Sequence, residues 1–158
     1  MAKLNVIIEP GKQEMLYTRT FDAPRDLVYK IYTDPALVPQ WWGPRYLTTH
    51  VDKMEVRPGG LWRYVQHDPQ GNEYGFHGVY HSLTPSEEIV STFEFEGMPG
   101  HVTLDTVKFE EVDGKTTLIG QSVFQSVADR DGMVESGAES GMVDMMDRLE
   151  EILARVSA

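Results

Sequence analysis

The chain has no cysteine, which excludes disulfides, thiolate nucleophiles and cysteine-held metals at once. Basic residues are scarce: 14 Lys and Arg stand against 25 Asp and Glu, for a formal charge of −11. No Lys/Arg cluster offsets that surplus, so nucleic acid and anionic membrane are disfavoured as partners. No apolar run approaches the length of a bilayer span, and residues 1–9 lack the apolar core of a secretory signal. The expectation is a cytoplasmic protein without membrane insertion. Internal repeats and low-complexity stretches are absent too. What is there is globular in composition, 41% hydrophobic and 25% charged over 158 residues. That is enough for one domain with a real core, read here as a single unit over 1–158 with 1–13 as an N-terminal arm.

The rest of the chain is organised around its last thirty residues. Between 129 and 156, Ala138, Met142, Met145, Leu149, Ile152 and Val156 recur at alternating steps of four and three, one face of an α-helix. Met133, Met146 and Leu153 widen that stripe, and Asp144, Asp147, Arg148, Glu150, Glu151 and Arg155 fill the other side. The spacing predicts one long helix over 129–156. Its first half, with Gly137 and Gly141 beside Ser136 and Ser140, is a poor helix former, each interior glycine costing about 1 kcal/mol relative to alanine. Its second half has no glycine and reads as an anchor.

Ahead of it, Val6-Ile7-Ile8 gives the arm the look of an extra edge strand, and 14–21 reads as a first strand. Asp22-Ala23-Pro24 opens a short helix whose stripe is Leu27, Val28, Ile31 and Tyr32. Asp34-Pro35 opens a second, with Leu37, Val38 and Trp41 on its apolar side, ending at Gly43-Pro44. The pattern then changes to period two. Strand-like runs at roughly 46–57, 61–67, 73–83, 87–96, 101–111 and 115–125 are separated by turn residues, of which Asp113-Gly114 is the strongest hairpin signal. The fold class expected is α+β: a curved antiparallel sheet of about seven strands gripping a long C-terminal helix, with two short helices between.

Alternation sorts these strands into faces. Trp62, Tyr64 and Gln66 share one face, as do Tyr74, Phe76, Gly78 and Tyr80; Ile89, Ser91, Phe93 and Phe95; and Leu118, Gly120, Ser122 and Phe124. Any one of these aromatics, taken alone, reads as core packing. Together, large rings beside glycines and serines, under a glycine-rich helix segment, predict unfilled apolar volume with a few polar groups, as small-molecule sites have. The residues expected to contact a guest are Trp42, Trp62, Tyr64, Phe76, His77, Tyr80, Phe93, Phe95, Met133, Gly141, Met142 and Met146, with Trp42 near an entrance. Of the eight methionines, five (Met98, Met133, Met142, Met145 and Met146) stand where the lining would need to adapt its shape.

Other chemistries find little footing. His50, His67, His77, His81 and His101 form no recognised ligand spacing. His77 and His81, four apart in a strand, stand roughly 13 Å from each other. No phosphate-binding loop and no nucleophile elbow is present, so neither metal nor cofactor is expected and no residue is assigned a catalytic role.

Phe21-Asp22-Ala23-Pro24-Arg25-Asp26-Leu27-Val28-Tyr29, followed by Tyr32-Thr33-Asp34-Pro35 and Trp41-Trp42-Gly43-Pro44, resembles the opening of heat-shock-protein-90 ATPase activator homologue-like domains. Pro58-Gly59-Gly60-Leu61-Trp62-Arg63-Tyr64, the segment 68–74, Gly78-Val79-Tyr80, the segment 93–101 and Asp129-Arg130-Asp131-Gly132-Met133 extend the likeness over about 14–155. These domains belong to the START-related (SRPBCC) superfamily, which includes polyketide cyclases and lipid carriers. The resemblance implies a helix-grip fold with a cavity between sheet and C-terminal helix. Chaperone stimulation belongs to multidomain relatives, and fold resemblance alone confers no function. Three readings follow. The first is a binding module for a small apolar or amphipathic molecule. The second is a cyclase- or hydrolase-type enzyme in the same cavity, with His77, Tyr80 or an inward Asp105 moving a proton. The third is a protein-interaction module. A homodimer is compatible with each.

Overall fold

Eight strands form one antiparallel sheet in the computed structural model, which describes residues 3–156. Residues 1–2 of the expected arm and 157–158 of the C-terminal segment lie outside the described residues. The strands are β1 (Asn5–Ile7), β2 (Glu14–Phe21), β3 (Thr48–Met54), β4 (Leu61–His67), β5 (Glu73–Thr84), β6 (Glu88–Phe95), β7 (Val102–Val112) and β8 (Lys115–Val123). They lie in the order β1-β2-β8-β7-β6-β5-β4-β3. Strands β3 to β8 are the meander that alternation and turn residues predict, and β2 joins its far end by pairing with β8. The sheet has one strand more than expected because the arm contributes β1, with Asn5 opposite Thr18 and Ile7 opposite Leu16. Asp113 and Gly114 both take positive φ, 52° and 77°, as a two-residue hairpin turn requires. Register irregularities at Val51/Lys53 and Tyr80/Ser82 add to the curl of the sheet.

Between β2 and β3 the chain forms α1 (Arg25–Thr33), which buries Val28 and Ile31. The second helix expected from Asp34-Pro35 is only a 3₁₀ turn, Val38–Gln40. The physical reason is Pro39: a helix begun at Pro35 would need an N–H at residue 39 to reach back four residues, and proline has none. Asp34 instead caps a tight turn, its Oδ1 accepting from the Ala36 N–H at 2.9 Å.

The long helix expected over 129–156 is two helices, α2 (Val127–Glu135) and α3 (Ala138–Val156). Ser126 caps α2 by accepting from the Asp129 N–H at 3.0 Å. Gly137, at φ 93°, takes the left-handed conformation that ends α2 and redirects the chain. The apolar repeat runs through this break because both helices face the same sheet. Only the second half of α3 is truly buried, through Met146, Leu149, Ile152 and Leu153; Val156, expected in the stripe, is 51% exposed. That half packs with Phe21, Val28, Ile31, Phe109 and Leu118 into a solid core at one end of the molecule.

The charged side of α3 ties the helix to the rest of the molecule. Arg19, buried on β2, donates to Asp147 and to Glu150, each at 2.9 Å. Arg148 donates to the carbonyl of Gly43 at 2.8 Å, and Arg45 pairs with Glu151. Anchored so, α3 carries its glycine-bearing first half out over the other end of the sheet. Among the described residues no helix is long and apolar enough to cross a membrane.

Candidate functional site

Beneath α2 and the first half of α3, the sheet and the helices enclose a cleft of about 340 Å³. Its floor is the concave face of the sheet, where Trp62, Tyr64 and Gln66 of β4, Phe76 and Tyr80 of β5, and Ile89, Ser91 and Phe93 of β6 point inward together. Thr103, Asp105 and Val107 of β7, Ser122 of β8 and Met15 and Tyr17 of β2 continue it. Met133 of α2 and Ala138, Gly141, Met142, Met145 and Met146 of α3 form the roof. Period two in the strands and a four-and-three spacing in the helices bring these residues to one volume.

Ten of the twelve residues expected to meet a guest line this cleft: Trp42, Trp62, Tyr64, Phe76, Tyr80, Phe93, Met133, Gly141, Met142 and Met146. His77 does not. It alternates with Phe76 and Gly78 along β5, so its ring lies on the convex face, with Nδ1 2.8 Å from Glu96 and Nε2 3.4 Å from Glu94. Glu96 there is held down to about 2, chiefly by hydrogen bonds from Arg63 and then from His77. Phe95 also stands outside the lining and stacks on Phe76 at 5.1 Å, a buttress to the wall.

The glycines act otherwise than expected. At Gly120 a Cβ would fall on the ring of Tyr17, and at Gly78 one would fall on the backbone carbonyl of Thr92 first and then on the indole nitrogen of Trp62. The first absence is filled by an aromatic ring, the second by the backbone of β6 together with Trp62. Gly141 differs, since a Cβ there meets nothing within 4 Å. Open space therefore lies under the roof, between Gly141 and the aromatic floor. Trp42 packs edge-on against Tyr64 at 5.0 Å, Phe76 at 5.2 Å and Trp62 at 6.2 Å. Its loop is tied down: Thr49 donates to the Trp42 carbonyl at 2.7 Å, and Gly43, at φ 89°, lies too close to the Gln66 amide for any Cβ. By contrast Glu135, Ser136, Gly137, Glu139 and Ser140 at the junction of α2 and α3 are exposed.

One polar group stands apart in this lining. Across the floor, cross-strand pairing sets Met15, Ser122, Asp105, Ser91 and Tyr80 in one row, with Asp105 at its centre. The Ser122 hydroxyl donates to Asp105 Oδ1 at 2.6 Å. Burial nonetheless pushes the Asp105 carboxyl up to about 6, against the lowering effect of that hydrogen bond. The accessible area Asp105 keeps faces the cleft. The phenols of Tyr17 and Tyr32 are raised, first by burial; the charge of Asp105 adds to both, after the neighbouring Tyr17 in the case of Tyr32. Tyr80 is pushed up to about 12 by burial.

Sequence reasoning missed Tyr17 and Tyr32 as site residues. Tyr17 shares a face with Met15, but only the closure of β2 onto β8 carries that face into the cleft. Tyr32 reads as a core position of α1, and it does pack on Trp41 at 4.6 Å and Phe109 at 5.4 Å.

A curled antiparallel sheet closed by a C-terminal helix, with an aromatic cleft under the helix, defines a protein of the helix-grip class. The family described as "Activator of Hsp90 ATPase homolog 1-like protein" matches residues 22–154, and the chain belongs to that family. A crystal structure of a Rhodobacter sphaeroides protein is similar at 25% identity, covering 97% of this chain and 99% of that one, with a TM-score of 0.88. A solution structure of an Arthrobacter aurescens protein shares the fold at 24% identity, over 96% and 91% of the two chains, with a TM-score of 0.89. An uncharacterized protein of Schizosaccharomyces pombe is 32% identical over 100 residues, which take in 63% of this chain and 26% of that protein's length.

Proposed function

We propose that the protein binds a small apolar or amphipathic molecule in the cleft beneath α2 and α3. The observation that carries this reading is the space under Gly141, where an added Cβ meets nothing within 4 Å although the floor opposite is a sheet of aromatic rings. A volume of about 340 Å³ sits at the lower end of the range for small-molecule sites, roughly 300–1,000 Å³. Met133, Met142, Met145 and Met146 form much of the roof, and unbranched thioethers adjust to guests of different outline. The guest would lie on Trp62, Tyr64, Phe76 and Phe93, with Trp42 closing one end. Entry would use the exposed junction at Gly137, since the Trp42 loop is hydrogen-bonded in place.

All three tryptophans of the chain, Trp41, Trp42 and Trp62, line the cleft, so their emission reports on what enters it. The neutral fluorophore 1-aminoanthracene should quench that emission and brighten as it binds. Gly141→Leu, which fills the space, should abolish both changes while leaving the thermal unfolding midpoint within a few degrees of the native one. Undiminished binding by Gly141→Leu would overturn the reading. Native mass spectrometry of protein from its own host would then identify a retained guest.

A second reading is favoured by Asp105 alone. A carboxyl brought up to about 6 inside an apolar cleft suits proton transfer to or from a bound guest near neutral pH, the requirement for cyclase- or hydrolase-type chemistry. Turnover of an identified guest with a single pH inflection near 6, lost in Asp105→Asn, would support it; an identified guest recovered unchanged would end it.

A further inference from the structure

The cleft carries information about the charge of what it holds. We propose that it selects a molecule whose apolar body bears a single protonated amine, and that Asp105 receives that amine. This inference rests on the binding function proposed above and narrows its ligand class.

Among the described residues the lining contains no Lys, Arg or His, and Asp105 is its one formally charged side chain. A fatty acid, a phosphate ester or any other anion would bring negative charge into an apolar volume with no cation to meet it and a carboxyl already present. A cation meets the reverse. Asp105 lies at the middle of the floor, between Ser122 on β8 and Ser91 on β6. Ser122 occupies Oδ1, and no hydrogen bond from the described residues engages Oδ2. Tyr17 from β2 and Tyr32 from α1 stand near enough for their phenols to feel the Asp105 charge. Ring faces and phenol oxygens beside a carboxylate form a setting that attracts an ammonium group. The helices above Asp105 add only methionine, alanine and glycine to the lining, so no group from the roof competes for it. At long range the formal charge of −11 draws cations toward the molecule and repels anions.

An isothermal titration series on the native protein at pH 7.5 tests this with three probes of one shape: 3-phenylpropylamine, 3-phenylpropan-1-ol and 3-phenylpropanoate. The amine should bind roughly 10- to 100-fold more tightly than the alcohol, the range of a hydrogen bond to a charged group, and the carboxylate should bind weakest. In Asp105→Asn the amine should fall to within about threefold of the alcohol measured on the same variant. At pH 5 the amine should lose most of its advantage. Asp105 is protonated there, while the other titratable groups of the lining, the phenols of Tyr17, Tyr32, Tyr64 and Tyr80, stay neutral throughout.

An alcohol that binds as tightly as the amine, or a carboxylate that binds best, would overturn the cation preference and leave the apolar-cleft reading standing. If Asp105→Asn does not fold, the ranking on the native protein decides alone. No heat from any of the three probes, together with no response to 1-aminoanthracene in the native protein, would overturn the binding function itself and the cation preference with it.

Discussion

Replacing Asp105 with asparagine should stabilise the empty protein at neutral pH, and the gain should itself titrate. The carboxyl ionises near its ordinary value of 3.8 in the unfolded chain and near 6 when buried. A folded-state value above the unfolded one means that the neutral form favours the fold; that contribution is complete below pH 3.8 and is lost as the pH rises through about 6. Two units correspond to about 3 kcal/mol at most. Asparagine keeps the acceptor for Ser122 but buries an amide in the cleft, so we expect a net gain of about 2 kcal/mol, or roughly 5 °C in a chain of this size. Urea denaturation of both proteins between pH 4 and pH 8 measures it, because every other titration is common to the two and cancels in the difference. The advantage of Asp105→Asn should be near zero at pH 4, rise by pH 6 and be level above pH 7. A difference that is flat across this range, or that falls with pH, would refute the placement of an ionisable Asp105 in an apolar interior. The expected rise would mean that the native protein carries a destabilising charge that a cationic guest relieves, a trade of stability for function found at many sites.

Other substitutions probe the frame around the cleft. Arg19→Ala removes the buried guanidinium that joins β2 to α3 and should cost about 2 kcal/mol in chemical denaturation, less than for a wholly buried pair because Asp147 and Glu150 regain water; a change below about 0.5 kcal/mol would contradict that anchoring role. Gly120→Ala drives a methyl into the Tyr17 ring and should destabilise by about 1–3 kcal/mol while shifting the tyrosine signals of the near-ultraviolet spectrum. Gly141→Ala has free space and a better helix former, so it should raise stability by about 0.5–1 kcal/mol, and a loss would show that the roof sits lower than described.

Much of this architecture follows from local rules. A period of two in the strands, a step of four and three near the C-terminus and glycine-bearing turns between them are short-range patterns, and they determine the meander, its inner faces and the anchoring half of α3. They place Trp62, Tyr64, Phe76, Tyr80 and Phe93 on one face, and that same alternation already sets His77 on the other. Local rules fail where one residue overrides a pattern. Gly137 adopts a left-handed backbone and divides a helix whose apolar repeat continues unbroken, and Pro39 reduces a helix to a single turn.

What the sequence by itself determined is therefore which side chains face inward. Which of them meet was decided only by the tertiary structure, through the closure of β2 onto β8 and the seating of α3 by Arg19. That closure brings Tyr17, from near the start of the chain, to Asp105 and Ser122 more than eighty residues later, and it fills the gap at Gly120 while leaving the one at Gly141 open. The reason is physical: facing is set by the backbone repeat of each strand, whereas filled and empty volume depend on the register between segments far apart in the chain.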